Sequence, residues 1–327
     1  MPSRIQQASL DKSVGPVRRA LQYATYDWTR EMPRSKRIIA WMGILLQGWA
    51  VWGLWARSLA WPMMWPKGIY LYASVLVLYV VGGWLLNGML TSELVRKSQL
   101  EADQIAARLI QQTLHPEEME ELPGYEVETF YKPFREVGGD YFDVIELGGD
   151  RTLFAVADVS GKGMPAALLA ANIQALVRSI ASVEADPVAL ARQINRHLTR
   201  YTPSNHFATT VFIVLSRDSG ELTYVNAGHN APIVSCSGTT ALLEATGMPL
   251  GLFSDAEYEA RVAVIPRGGG LLVFTDGLID SIQGRDPANR LRDALADSSK
   301  GTMSRLKSLV DPARNEDDIT ILLVKRM

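Results

Sequence analysis

From residue 123 onward, short apolar runs alternate with polar turns. The runs at 125–131, 141–147, 152–157, 208–215, 221–226, 231–235, 259–264, 271–275 and 319–325 are rich in β-branched and aliphatic residues and predict strands. Longer stretches at 164–182, 187–200 and 288–298, with a shorter one at 303–309, predict helices. Pro165 falls in the first turn of its helix, where proline is tolerated. Strands succeed one another as hairpins, with helices grouped between them. That order predicts an α+β fold, an antiparallel β-sandwich flanked by helices, rather than a parallel doubly wound sheet.

The pattern before residue 91 is different. Ile38 to Ala56 and Ile69 to Leu90 carry no charge over 19 and 22 residues. At helical rise they extend roughly 28 and 33 Å, enough to cross a hydrocarbon core. Trp55, Trp61, Trp65, Tyr70 and Tyr72 cluster around the short connection, as at a membrane interface. The expected organisation is a basic tail at 1–37, two transmembrane helices at 38–90, a helical linker at 91–122 and a folded domain at 123–327. Val95, Ala102, Ile105, Leu109 and Gln112 give the linker a seam at near-heptad spacing. It suits either a homodimer through the 91–114 helix or packing on its own domain. His115-Pro116 should end that helix.

Charge orients the spans. Residues 1–90 hold ten Lys/Arg against three Asp/Glu, and the rest hold 23 against 32. Eight basic residues precede the first span, from Arg4 to Arg37, whereas the connection has Arg57 and Lys67. The positive-inside rule places both termini and the folded domain in the cytoplasm, anchored at the inner (cytoplasmic) membrane. The single cysteine, Cys236, excludes an intrachain disulfide. No strongly basic face predicts nucleic-acid binding.

Acids close the strand candidates. Leu153–Ala157 runs into Asp158, Leu271–Thr275 runs into Asp276, and Asp317-Asp318 open Ile319–Val324. A carboxylate at the mouth of a buried strand is costly unless paired or metal-bound, and three such mouths would make an oxygen-rich pocket for Mg2+ or Mn2+. Each alone is also an ordinary turn residue. Two glycines precede Asp140 in Gly138-Gly139-Asp140, and Asp158-Val159-Ser160-Gly161-Lys162-Gly163 passes from a strand into a helix.

Five blocks, EVGGDYFD, ADVSGKGMPAAL, NAGHNAP, FTDGLID and NEDDITILL, occur in that order. Together they resemble the SpoIIE/RsbU-type branch of the PPM (type 2C) metal-dependent serine/threonine phosphatases, over about residues 123–327. The resemblance implies an αββα sandwich with a site for two divalent cations, Mn2+ or Mg2+, at one end of the sheets. By motif, Asp158 resembles the carboxylate bridging both ions, with the Val159 carbonyl beside it. Asp276 and Asp317 resemble further carboxylate ligands, and Asp140 the acid holding metal-bound water. Asp318 is left open between a ligand and a supporting role, and Asp143 between a supporting role and a turn. Lys162 replaces the histidine that eukaryotic relatives often carry near this point; it suits phosphate binding or solvent. His229 suits either proton donation or a structural turn, and Arg135 is a phosphate-binding suggestion by position alone. The implied chemistry is hydrolysis of phosphoserine or phosphothreonine by water that the ions activate. The implied substrate is a phosphorylated STAS-domain anti-sigma-factor antagonist in a partner-switching pathway.

Other readings fit less of the chain. GGDYF lacks the second acid of a GGDEF cyclase, and SGKG lacks the spacing and hydroxyl of a P-loop. A catalytically degenerate module that sequesters a signalling partner at the membrane is the alternative of a different class; retention of every expected acid argues against it.

Overall fold

Strands buried on both faces must be largely apolar, and that is how the central strands of the folded domain, Arg151–Val159, Ala208–Ser216, Gly270–Phe274 and Ile319–Arg326, read. In the computed structural model, residues 34–58, 65–114, 121–203, 205–236, 238–283, 286–296 and 301–327 are described. The chain forms two compact units, Met1–Glu101 and Ala102–Met327.

Among its described residues the second unit contains ten strands: β1 (Tyr125–Lys132), β2 (Asp140–Glu146), β3 (Arg151–Val159), β4 (Ala208–Ser216), β5 (Glu221–Ala227), β6 (Ile233–Cys236), β7 (Thr239–Leu242), β8 (Arg261–Val264), β9 (Gly270–Phe274) and β10 (Ile319–Arg326). They make two five-stranded sheets, ordered β1-β10-β9-β6-β7 and β2-β3-β4-β5-β8. Every pairing within these sheets is antiparallel.

Residue parity decides which layer each side chain enters. Phe154 and Val156 of β3, Val211 and Ile213 of β4, Leu271 and Val273 of β9, and Leu322 and Val324 of β10 meet between the sheets. The alternate residues of β3, Leu153, Ala155 and Ala157, pack under α3 (Met164–Ala181) and α4 (Pro187–Tyr201) through Ile173, Val177, Leu190 and Ile194. Leu272, Phe274, Ile321 and Leu323 face α5 (Asp276–Ser281), α6 (Pro287–Ala296) and α7 (Thr302–Leu309). The result is a four-layer helix–sheet–sheet–helix sandwich, the predicted class. Phe154 is fully enclosed in it, so truncation to alanine there would cost about 3–5 kcal/mol.

Nine strands and four helices lie within a few residues of expectation. Two short elements were not foreseen. β7 is a partly exposed edge strand, too polar to show a buried run. α5 is under two turns long and starts on Asp276, so this acid opens a helix rather than merely closing a strand. Asp158 likewise is the penultimate residue of β3, inside the ladder rather than beyond it.

In the first unit, α1 (Arg34–Ser58) and α2 (Trp65–Leu114) pack antiparallel. A Cβ on Gly43 would stand 3.0 Å from Leu86, and one on Gly53 3.8 Å from Val75. Such close approach at small residues is how helices associate in lipid. Leu45, Trp49, Trp52, Leu76, Val77, Val80 and Trp84 remain exposed around the pair. Val75–Gln99, at mean hydropathy 1.6, is apolar and long enough to cross a membrane. Met164–Ala181 also meets that criterion, but its inner face is part of the domain core. The second expected span and the linker helix form one continuous helix to Leu114. Val95, Ile105 and Leu109 of the expected seam are exposed. The basic tail before residue 34, the segment 59–64 with Trp61, and His115-Pro116 lie outside the described residues.

Candidate active site

The parity that fills the core also gathers the acids. Asp140 shares its face of β2 with Phe142, and Asp158 shares its face of β3 with Val156, so both point into the seam between the sheets. The two residues lie directly opposite in the β2–β3 ladder. From the other sheet, Thr275 and Asp276 follow β9, and Asp317-Asp318 precede β10. Glycine permits the close approach of these segments: a Cβ on Gly277 would collide with the backbone of Asp318.

The acids run from a buried floor to an open rim. Asp140 is 2 % and Asp318 9 % exposed; Asp158 and Asp317 are half-buried and Asp276 is exposed. Asp140 accepts hydrogen bonds from the Thr275 and Thr320 hydroxyls at 2.8 and 2.6 Å. Burial, then the neighbouring Asp158, holds its pKa well above the usual carboxylate range. Asp158 is pushed up to about 7 by burial and then by Asp276 and Asp317. Asp276 is raised too, first by the protein packed around it and then by Asp317.

Lys162 brings an ammonium into this crowd of like charges. Lys162 lies on the β3–α3 loop between Gly161 and Gly163, whose φ angles of 102° and 76° require glycine. Its Nζ is 2.8 Å from Asp317 Oδ2 and donates to the Glu316 carbonyl at 2.6 Å, with the Phe134 ring 5.4 Å away. Arg135 approaches the same loop; a Cβ on Gly163 would stand 4.0 Å from its Nη1.

Three residues left open by the sequence have clear places. Asp318 accepts from the Phe134 N–H at 2.7 Å and the Gly139 N–H at 2.6 Å, so both its oxygens hold the β1–β2 loop. These bonds oppose the burial that raises its pKa. Asp143 has the opposite parity to Asp140 and faces α3. Arg178 takes it in two hydrogen bonds at 2.7 and 3.1 Å, and Tyr141 and the Val144 N–H take the rest. It ties β2 to α3 and does not enter the seam. His229 is 5 % exposed, with Nδ1 3.0 Å from Thr209 Oγ1. Burial lowers its pKa to about 4, so the ring is neutral near pH 7. Its backbone N–H is held by Asn226 at 2.8 Å, the arrangement of a structural turn. Ser160 ties its loop to the segment before β4, its Oγ accepting from the Phe207 N–H at 2.9 Å and its own N–H donating to the Phe207 carbonyl.

Thr275, Thr320 and Gln111 contribute to the site without having been singled out from the sequence. The signal for the threonines was there: each is a polar residue at an inward-facing position of an otherwise apolar strand end.

The donor set is oxygen alone, which suits Mg2+ or Mn2+ and not thiophilic metals. Mutual repulsion among Asp140, Asp158 and Asp276 is what divalent cations would relieve. Among the described residues, no three His, Cys, Asp or Glu side chains already close around a common point. The fit is therefore one of donor type and charge.

A protein-family profile described as Stage II sporulation protein E (SpoIIE) matches residues 148–327. The phosphoserine phosphatase RsbP of Bacillus subtilis (strain 168) is 26% identical over 208 residues, covering 61% of this chain and 52% of RsbP. RsbU of the same organism, also a phosphoserine phosphatase, is 27% identical over 186 residues, covering 56% and 54%. The chain thus spans about half the length of these curated relatives. Among solved structures, the RsbU and RsbW domains of Rv1364c from Mycobacterium tuberculosis superpose with TM-score 0.56 at 27% identity, covering 63% of this chain and 62% of that one. The SiaA-PP2C domain of Pseudomonas aeruginosa gives TM-score 0.58 at 22% identity, covering 71% and 98%, a likeness of fold. RsbX, solved in complex with magnesium, shares the fold at TM-score 0.53 and 20% identity, covering 64% and 99%. With the family profile spanning more than half its length, the chain belongs to the SpoIIE family, on a PPM-type phosphatase fold.

Proposed function

We propose that this protein is a membrane-anchored, metal-dependent protein serine/threonine phosphatase. The observation that carries the reading is the convergence of Asp140 and Asp158 from one sheet with Asp276 and Asp317 from the other at a single end of the seam. Asp158, Asp276, Asp317 and the Val159 carbonyl would hold two divalent cations, with Asp140 buried behind them. When bound, such ions activate water and neutralise phosphate oxygens. The chain's own residues do the rest. The two threonines fix Asp140, Asp318 fixes the loop that carries it, and Lys162 and Arg135 supply positive charge at the rim for a phosphate dianion. His229, buried and neutral, supports the fold of the site.

The relatives' names support phosphoserine as the substrate class. The finer reading is a phosphorylated STAS-domain anti-sigma-factor antagonist as substrate, met at the cytoplasmic face of the inner membrane. The full chain in detergent should hydrolyse a phosphoserine peptide with Mn2+ or Mg2+ and stop with chelator. Asp158→Asn, Asp276→Asn and Asp317→Asn should each lower turnover by ~100-fold or more, because each removes a charged ligand from a shared site. Undiminished hydrolysis by the Asp158 variant, or in excess chelator, would refute the mechanism.

A further inference from the structure

The last turns of α2 belong to the same compact unit as the strands, and one of their side chains reaches the loop that leads into Asp140. Gln111 is 9 % exposed. Its Nε2 donates to the Gly138 carbonyl at 2.7 Å, and its Oε1 accepts from the Gly138 N–H at 3.1 Å. A side-chain amide that meets both backbone groups of one residue fixes the peptide planes on either side of it.

Gly138 has no slack on its other side. A Cβ built there would stand 2.7 Å from Asp318 Oδ2 and nearer still to the Tyr131 hydroxyl. The residue is gripped between a helix and the start of β10. Gly139 follows, donating to Asp318 Oδ2. Its own Cβ would stand 3.1 Å from the Val159 carbonyl and 3.1 Å from Ala166. Asp140 is next. The residue directly after the amide clamp thus abuts the Val159 carbonyl, and the one after that is Asp140.

We propose that Gln111 is a positioning residue for the acidic site. Its clamp on Gly138 sets the Gly138-Gly139 loop, and through it the Asp140 carboxylate and the Val159 carbonyl. This rests on reading those groups as part of a divalent-cation site. Arg108 reaches the same loop, its Nη1 3.4 Å from Glu136 Oε2, but both partners are half exposed, and such pairs contribute little. Gln111 differs because it is buried: without its amide, both backbone groups of Gly138 lose a partner where replacement is costly.

The test is Mn2+ binding by the metal-stripped full chain in detergent, with free Mn2+ read by electron paramagnetic resonance and no substrate present. Gln111→Leu should weaken Mn2+ binding about tenfold or more, the range for groups that orient ligands. Gln111→Glu keeps the acceptor for the Gly138 N–H and sets an oxygen against the Gly138 carbonyl, so it should weaken binding too. It carries the test if the leucine variant does not fold. Arg108→Ala, the exposed control, should stay within about twofold of the parent. Parent-like Mn2+ affinity in the folded Gln111 variants overturns the proposal, whether or not their melting temperature falls, since a packing role alone would move only the latter. An equal loss in Arg108→Ala overturns it as well. If the parent hydrolyses phosphoserine peptide while the Gln111 variants bind Mn2+ normally, this inference alone fails. If Mn2+ binding responds as expected but the parent does not hydrolyse the peptide, the phosphatase reading alone fails.

Discussion

Asp158 and His229 show burial acting in opposite directions on the two kinds of titratable group. Asp158 moves from 3.8 up to about 7, and His229 from 6.5 down to about 4. Each resists its charged form, and the linkage signs differ. For a raised carboxyl, the stabilising contribution is fully present below the unfolded value and is lost as pH rises through the folded one. For a lowered imidazole, it is present above the unfolded value and lost as pH falls. Melting temperatures in chelator should separate the two. Relative to Asp158→Asn, the parent should lose stability as pH rises from about 4 to about 7. Relative to His229→Gln, it should lose stability as pH falls from about 6.5 to about 4. Parallel pH profiles for the parent and either variant would mean that the group in question titrates normally in the fold.

Elements place these residues, and the central strands were easiest to read because two-sided burial makes β3, β4, β9 and β10 largely apolar. The acids were legible for the same reason: a charged residue ending such a run stands out. What the sequence hid is what pairs across it. Thr275 and Thr320 serve an aspartate 135 and 180 positions away, and no local pattern reports so distant a partner. Gln111 was hidden likewise, a polar residue in a polar helix until Gly138 is seen beside it. Asp143 was misleading in the other direction, since its motif neighbours Asp140 while the pleat turns the two to opposite faces. The threonine pair makes an element-scale prediction. Thr320→Val removes the 2.6 Å bond to Asp140, while Thr275 keeps its own. It should cost about 1–3 kcal/mol of stability, as for a buried hydrogen bond to a carboxyl group. Thr320→Ser, which keeps the hydroxyl, should recover most of that. A serine midpoint no higher than the valine one would show that the hydroxyl does not carry the stability at this position.

At the scale of the whole molecule, the two units treat their apolar residues differently. The second hides its apolar residues between and beneath its sheets. The first leaves tryptophans, leucines and valines exposed on both helices of the α1–α2 pair, a surface that water would penalise and lipid would not. Length and apolarity alone are weak grounds, since the core helix α3 satisfies the same criterion. What separates the cases is where the apolar face ends up, and α3 buries its own. Charge then sets direction. Eight basic residues precede the first expected span and two lie between the expected spans, so on the proposed membrane-anchored reading the positive-inside rule predicts residue 62 outside and both ends inside. Alkaline phosphatase fused at residue 62 should be active, and the same reporter at the C-terminus silent, with a cytoplasmic reporter giving the reverse pattern. A C-terminus that reported outside would place the acidic seam on the wrong side of the membrane for a cytoplasmic phosphoprotein, and the proposed substrate would have to be abandoned even if the hydrolytic chemistry stood.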